Sequence, residues 1–88
     1  MKTEYDRAAD AAYFEFSSAD AARQVKLDDS RVIDYAADGS VVGVEILSSS
    51  RGVNLVGLPR SAEIARGLRS LGFRVLDPVR STRTATSS

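Results

Sequence analysis

Polar and apolar residues alternate in short runs along the first half of the chain. Thr3 and Tyr5 sit between Lys2, Glu4 and Asp6, a period of two that predicts a short first strand. Residues 7–10 hold no strand former and read as a tight connection. From Ala11 to Phe16, Ala12, Phe14 and Phe16 fall on one face and Tyr13 and Glu15 on the other. That is a second strand, with aromatic enrichment. Residues 17–22 are small and polar, a loop with a helical turn as the alternative. Val25 and Leu27 face in while Gln24 and Lys26 face out, and Asp28-Asp29-Ser30 closes that strand as a turn. The sharpest local signal is Asp38-Gly39 between the apolar runs 31–35 and 41–47. Glycine accepts the positive φ of a hairpin turn, and Val42, Val44 and Ile46 then form one buried row. Gly43 presents no side chain on the other face, which predicts a bulge or the close approach of a neighbour.

The pattern changes after the polar seam 48–52. Val53 to Leu58 is apolar on both faces, so it is either a buried strand or a packed irregular segment; periodicity does not decide. Pro59 ends it. Ser61 is the expected helix N-cap, with Glu63 in the first turn where the helix dipole favours a negative charge. Ile64, Ala65, Leu68 and Leu71 share one helical face, and Gly72 is the expected C-cap. A helix of this length containing Gly67 does not stand alone, so it has to pack on something. Residues 73–76 read as a last strand before Pro78. The expectation is one α+β domain over 1–76: an antiparallel β-meander of about five strands in 3–47, a short helix over 61–71 and a strand over 73–76. Residues 77–88, rich in Ser, Thr and Arg, are expected to be a mobile tail.

Composition narrows the chemistry. The 88 residues contain no cysteine and no histidine, which removes disulfides, thiolate and imidazole nucleophiles or bases, and the commonest metal ligands within this chain. No apolar run approaches a membrane span, and the polar start is unlike a signal peptide. The expectation is a cytoplasmic protein. Net charge is zero but unevenly placed: residues 1–50 sum to −5 and residues 51–88, with seven arginines, to +5. Either the halves neutralise one another, in the fold or across a dimer, or the asymmetry marks an interaction surface.

The segment Tyr5-Asp6 through Ala12-Tyr13, then Asp34-Tyr35 through Asp38-Gly39 to Gly43-Val44-Glu45-Ile46-Leu47, resembles a group of small bacterial proteins known as domain of unknown function 2283. The resemblance covers residues 4–49. It supports the antiparallel sheet and implies no activity. Some members lie beside toxin-like genes, so it also implies an antitoxin-like role with a toxin as partner protein. The residues themselves read as fold-making: Asp6 and Asp10 fix a turn, Tyr5 and Tyr13 pair across the first hairpin, Asp38 and Gly39 set the second turn, and Gly43 admits a neighbour.

Three functional classes follow. In the first, the chain is a non-enzymatic protein-interaction module, homo-oligomeric and preferably dimeric. Its candidate surface is Val53, Leu55, Val56, Leu58, Ile64, Leu68 and Leu71, with Arg66 and Arg69. In the second, the C-terminal arginines, including Arg60, Arg74, Arg80 and Arg83, contact nucleic-acid phosphates. In the third, Asp6, Asp10, Asp34 and Glu45 converge into an acid–base or cation site. No calcium-loop spacing is present, and Gly52 to Gly57 lacks the Lys-Ser/Thr of a phosphate loop. No cofactor, metal or catalytic residue is expected.

Overall fold

The computed structural model describes residues 1–76. The tail expected over 77–88, with Pro78, Arg80 and Arg83, lies outside the described residues. Among the described residues, seven strands and one α-helix follow in order: β1 (Lys2–Asp6), β2 (Ala11–Glu15), β3 (Arg23–Asp28), β4 (Arg31–Tyr35), β5 (Val41–Ile46), β6 (Val53–Asn54), α1 (Ser61–Ser70) and β7 (Val75–Leu76). The antiparallel sheet, later helix and final strand are those expected from the alternation.

The sheet order is β1-β2-β5-β4-β3. Only β3, β4 and β5 succeed one another in space as a meander. The hairpin β1–β2 is added to the inner side of β5, with Phe14 opposite Val44 and Ala12 opposite Ile46. Alternation and register place Thr3, Tyr5, Ala12, Phe14, Val44, Ile46, Ile33 and Val25 on one face. The row Val42, Val44, Ile46 is buried as expected. Leu27 was expected to face inward but is exposed, because the register shifts between Lys26 and Asp28 and turns that residue out of the ladder.

The segment 53–58 resolves as a two-residue strand followed by a turn. β6 pairs in parallel with β7, so residues 53–76 form a small βαβ unit, the helix being the crossover that parallel strands require. Its apolar side chains Val53, Leu58, Ile64 and Leu68 join Phe14, Ile33, Val44 and Ile46 in one core. The helix therefore covers its own sheet.

The helix begins one residue earlier than Ser61 as a cap. Glu63 N and Ile64 N both donate to Arg60 O, at 3.1 Å each, which makes Arg60 the N-cap, in left-handed geometry at φ 55°. Ser61 is the first helical residue and caps nothing. Arg60 is held by its own side chain: Nε donates to Glu63 Oε1 at 2.7 Å, and the guanidinium lies 4.7 Å from the Phe16 ring centre. At the other end Leu71 is the C-cap and Gly72 follows at φ 84°. Phe73 N donates to Leu68 O and Gly72 N to Arg69 O, the two bonds of a Schellman ending.

Gly67 looks like a weakness in the helix, yet it is what lets the helix lie on the sheet. A Cβ there would sit 2.7 Å from Phe14 Cε1. Gly67→Ala gains about 1 kcal/mol of helix propensity and loses about 1–3 kcal/mol by overpacking. We expect a net loss, read as a lower urea midpoint; a raised midpoint would show that Phe14 yields freely.

Ion pairs are local. Lys2–Glu4, Lys26–Asp29, Arg31–Asp28 and Arg60–Glu63 are the four formed among the described residues, and none joins the acidic half to the basic half.

Candidate functional site: a locked sheet platform

The motif residues divide between two places. Tyr5 and Asp10 stand at the β1–β2 turn. Asp6 Oδ1 accepts from the Ala8 and Ala9 amides at 3.0 and 3.3 Å, which shapes that turn as expected. Asp10 is left-handed at φ 53°, a conformation aspartate tolerates better than most side chains. Its Oδ1 accepts from Tyr5 Oη at 2.6 Å and from Ser50 N at 3.0 Å, while Oδ2 accepts from Ser50 Oγ at 2.8 Å. Ser49 N donates to the Asp10 carbonyl at 3.0 Å. The hydrogen bonds from Tyr5 and then Ser50 hold the Asp10 carboxyl below its usual range. One aspartate thereby ties the first hairpin to the 3-10 turn Ser49–Arg51 that follows β5. Ser50 was not among the predicted residues. It lies forty positions away within three serines, and nothing local distinguishes it.

Tyr13 does not pair with Tyr5. Tyr5 opposes Ala12, and Tyr13 opposes Glu4, so the two rings lie on opposite faces of the sheet. Adjacent odd-numbered positions on different strands do not ensure a shared face once the register is set. Tyr5 instead meets Phe73 edge to face at 4.9 Å. Tyr13 crosses the open face above Gly43, where an added Cβ would collide with its hydroxyl and with the Phe14 carbonyl. Its Oη donates to Asp34 Oδ2 at 3.1 Å. Gln24 Nε2 donates to Asp34 Oδ1 at 3.0 Å. The chain Tyr13–Asp34–Gln24 crosses from β2 over β5 and β4 to β3. The neighbour anticipated at Gly43 is this ring.

Glu4 and Glu45 flank Tyr13 in direct register, and Glu15 lies two residues along β2. Burial and then the Asp34 hydrogen bond push the Tyr13 hydroxyl up to about 12, with Glu15 and Glu45 adding to it. A phenol whose folded value is raised stabilises the fold below its unfolded value, and that contribution is lost as pH climbs through about 10 to about 12. Absorbance titration should show one tyrosinate forming near pH 12, absent in Tyr13→Phe; a complete titration by pH 11 would contradict this geometry.

Asp6, Asp10, Asp34 and Glu45 do not converge. Asp6 and Asp10 bracket one turn, while Asp34 and Glu45 stand on separate strands of the open face. No group of three acidic side chains suited to a metal ion occurs among the described residues. Asp38 acts in its own turn, where Oδ1 accepts from Ser40 N and Oγ at 2.9 and 2.7 Å, and Gly39 has the expected positive φ of 87°. Tyr35 packs at the core margin with the Arg23 guanidinium 4.6 Å from its ring centre.

The predicted apolar surface is largely internal. Val53, Leu58, Ile64 and Leu68 are buried, and Leu55 and Leu71 are partly so; these residues pack in or against the chain's own core. Val56, Arg66 and Arg69 remain exposed.

A residue absent from the predictions organises this region. Arg31 is buried. Its Nε and Nη2 donate to Asp28 Oδ2 at 3.0 and 2.8 Å, and Nη1 donates to the carbonyls of Asn54, at 2.9 Å, and Val56. The pairing of Arg31 with Ile33 and Tyr35 in one period-two row was the signal that it faces inward. A groove of about 290 Å³ runs past this arginine, bordered by Leu47, Gly52, Asn54 and Leu76, and lies away from the motif's open face. Arg31, then the Ser30 amide, holds the Asp28 carboxyl down at about 2. A lowered folded value stabilises above the unfolded one and is lost as pH falls from about 4 to about 2. We expect Asp28→Asn to flatten the fall of Tm with acidity in that window; an unchanged slope would place the acid sensitivity elsewhere.

No helix among the described residues is long and apolar enough to cross a membrane. No curated protein and no solved structure matches the chain. The family model described as protein of unknown function (DUF2283) matches residues 2–50. That match spans the five-stranded sheet, the Tyr5–Asp10–Ser50 tie and the Tyr13 crossing, more than half of the 88 residues, and the chain belongs to this family.

Proposed function

We propose that the protein is a non-enzymatic, homo-oligomeric interaction module whose open sheet face receives a partner protein. One observation carries the reading: Tyr13 is fixed across the uncovered face by Gly43 and Asp34, with Glu4, Glu15 and Glu45 around it. The motif's side chains hold a surface in shape. A rigid aromatic within a polar, acidic surround suits docking by a basic surface, since aromatic anchors concentrate binding energy and complementary charge directs encounter. Neutralising such a partner, in the manner of an antitoxin acting on a toxin, is the finer form of this reading.

The test is co-purification of the tagged chain from its host, followed by reconstitution with the recovered protein. Glu15→Lys with Glu45→Lys should abolish binding while the fold persists. Repeated recovery without a partner, or a partner held equally by the reversed face, overturns the reading.

The exposure of Arg66 and Arg69, in no ion pair among the described residues, favours a second reading as an accessory nucleic-acid binder. Gel shift at low salt tests it: binding weakened by Arg66→Ala with Arg69→Ala would support it, and no shift dismisses it.

A further inference from the structure

The sheet ends in two outer strands, β1 and β3, and they differ in how they meet solvent. An unpaired edge templates another strand unless it is short, bulged, charged or covered. β3 carries the register shift between Lys26 and Asp28, which breaks its regularity. β1 pairs with β2 without interruption from Lys2 to Asp6 and contains no proline.

The polarity of the β1 edge follows from the ladder. Phe16 N donates to Val42 O, and hydrogen-bonded pairs recur every second residue in an antiparallel pair. Phe14 and Ala12 therefore point their amides and carbonyls at β5, and Tyr13 and Glu15 point theirs at β1. Their partners Glu4 and Lys2 are satisfied. Thr3 and Tyr5 direct their backbone N–H and C=O groups outward, and neither forms a backbone hydrogen bond to another described element.

Two such edges can join antiparallel only by pairing outward residues with outward residues. Centring on Thr3 opposes Thr3 to Thr3, and sets Lys2 of each copy against Glu4 of the other, in the closely spaced non-hydrogen-bonded positions. Sliding one step in one direction opposes Glu4 to Glu4; one step in the other opposes Lys2 to Lys2. Directly opposed like charges disfavour both. In the single chain Lys2 and Glu4 already neutralise each other at 3.5 Å, both largely exposed, so the two side chains need only exchange partners. The Thr3-centred register also brings Met1, exposed on the core side, against Tyr5 of the second copy.

We infer that the chain forms a two-fold dimer through antiparallel pairing of β1 with β1 of a second copy, centred on Thr3, giving one continuous sheet. This names the self-association surface of the interaction module proposed above and rests on that reading for its purpose. The contact is isologous, so it closes at two copies. The other edge stays free, and so does the open face beyond Lys2 and Glu4.

Light scattering and sedimentation on the full chain, from about 1 to about 200 μM where small interfaces associate, provide the test. The wild type should pass from monomer to dimer. Thr3→Pro removes an outward N–H that β2 does not use, so the variant should stay monomeric with an unchanged circular dichroism spectrum. Glu4→Lys alone and Lys2→Glu alone should each weaken the dimer about tenfold; together they restore the opposed pairs and should recover most of the affinity. A wild type that remains monomeric throughout, or a dimer indifferent to Thr3→Pro, overturns the inference. Partner binding through Glu15 and Glu45 is scored separately, so loss of one result leaves the other standing.

Discussion

Arg31→Met should lower stability by about 3 kcal/mol, out of the roughly 4–13 kcal/mol expected of a domain this size. The arginine stem lies on the core face and its head donates to three partners, the Asp28 carboxylate and two backbone carbonyls. Two of them are the carbonyls of Asn54 and Val56, which tie the end of β6 and the residues after it to the five-stranded sheet. Methionine replaces the stem's volume but none of its donors, so these carbonyls lose a charge-assisted partner. Asp28 loses both bonds at Oδ2; being partly exposed, it is rescued by water. Arg31→Lys supplies one compact charge in place of a planar fork and should fall between the two. Urea unfolding followed by circular dichroism reads the difference. Faster hydrogen exchange at residues 53–56 should accompany it. A loss under about 1 kcal/mol would mean that water replaces the guanidinium without penalty.

Gly43→Val is expected to cost about 2 kcal/mol, and the cost should depend on residue 13. The new side chain takes the space of the Tyr13 ring and crowds the Phe14 carbonyl. The ring must leave, and its bond to Asp34 goes with it. In a Tyr13→Ala background the ring is already gone, so Gly43→Val should cost clearly less, and valine's preference for strands then counts in its favour. The double-mutant cycle isolates this coupling, expected at about 1 kcal/mol or more. Strict additivity would show that ring and glycine are independent.

Much of the sheet was legible in the chain, and the reasons for the gaps are specific. Alternation marks a strand and its two faces but carries no information about which strand lies beside it. The addition of β1–β2 to β5 was therefore hidden, although every one of these strands was visible. The Asp38-Gly39 hairpin was readable because its chemistry is local. The Asp10–Ser50 tie was not, because both ends look like ordinary turn residues and only the closed sheet brings them together. Asp34 and Glu45 were noticed as carboxylates, and their faces were decided by register. Ser61 has the right side chain for a cap, but Arg60 has two side-chain partners that hold it in a left-handed turn, and tertiary contact prevailed over preference. The two-sided apolarity of 53–58 signalled burial correctly and left open against what. The answer is the chain's own sheet, reached through a parallel pairing between strands more than twenty residues apart.

The central position of β5 has a consequence for the order of events on the ribosome. β5 is the last of the five sheet strands to be synthesised, yet both halves of the sheet pair to it. The hairpin β1–β2 emerges first and waits through the synthesis of residues 16–46 with both of its edges open. β3 and β4, by contrast, meet β5 almost as it appears. Closure of the sheet is thus a late, long-range step that carries the cost of a long loop. The nascent hairpin, with Phe14 uncovered, is the interval in which wrong strand pairing competes most strongly with the native one.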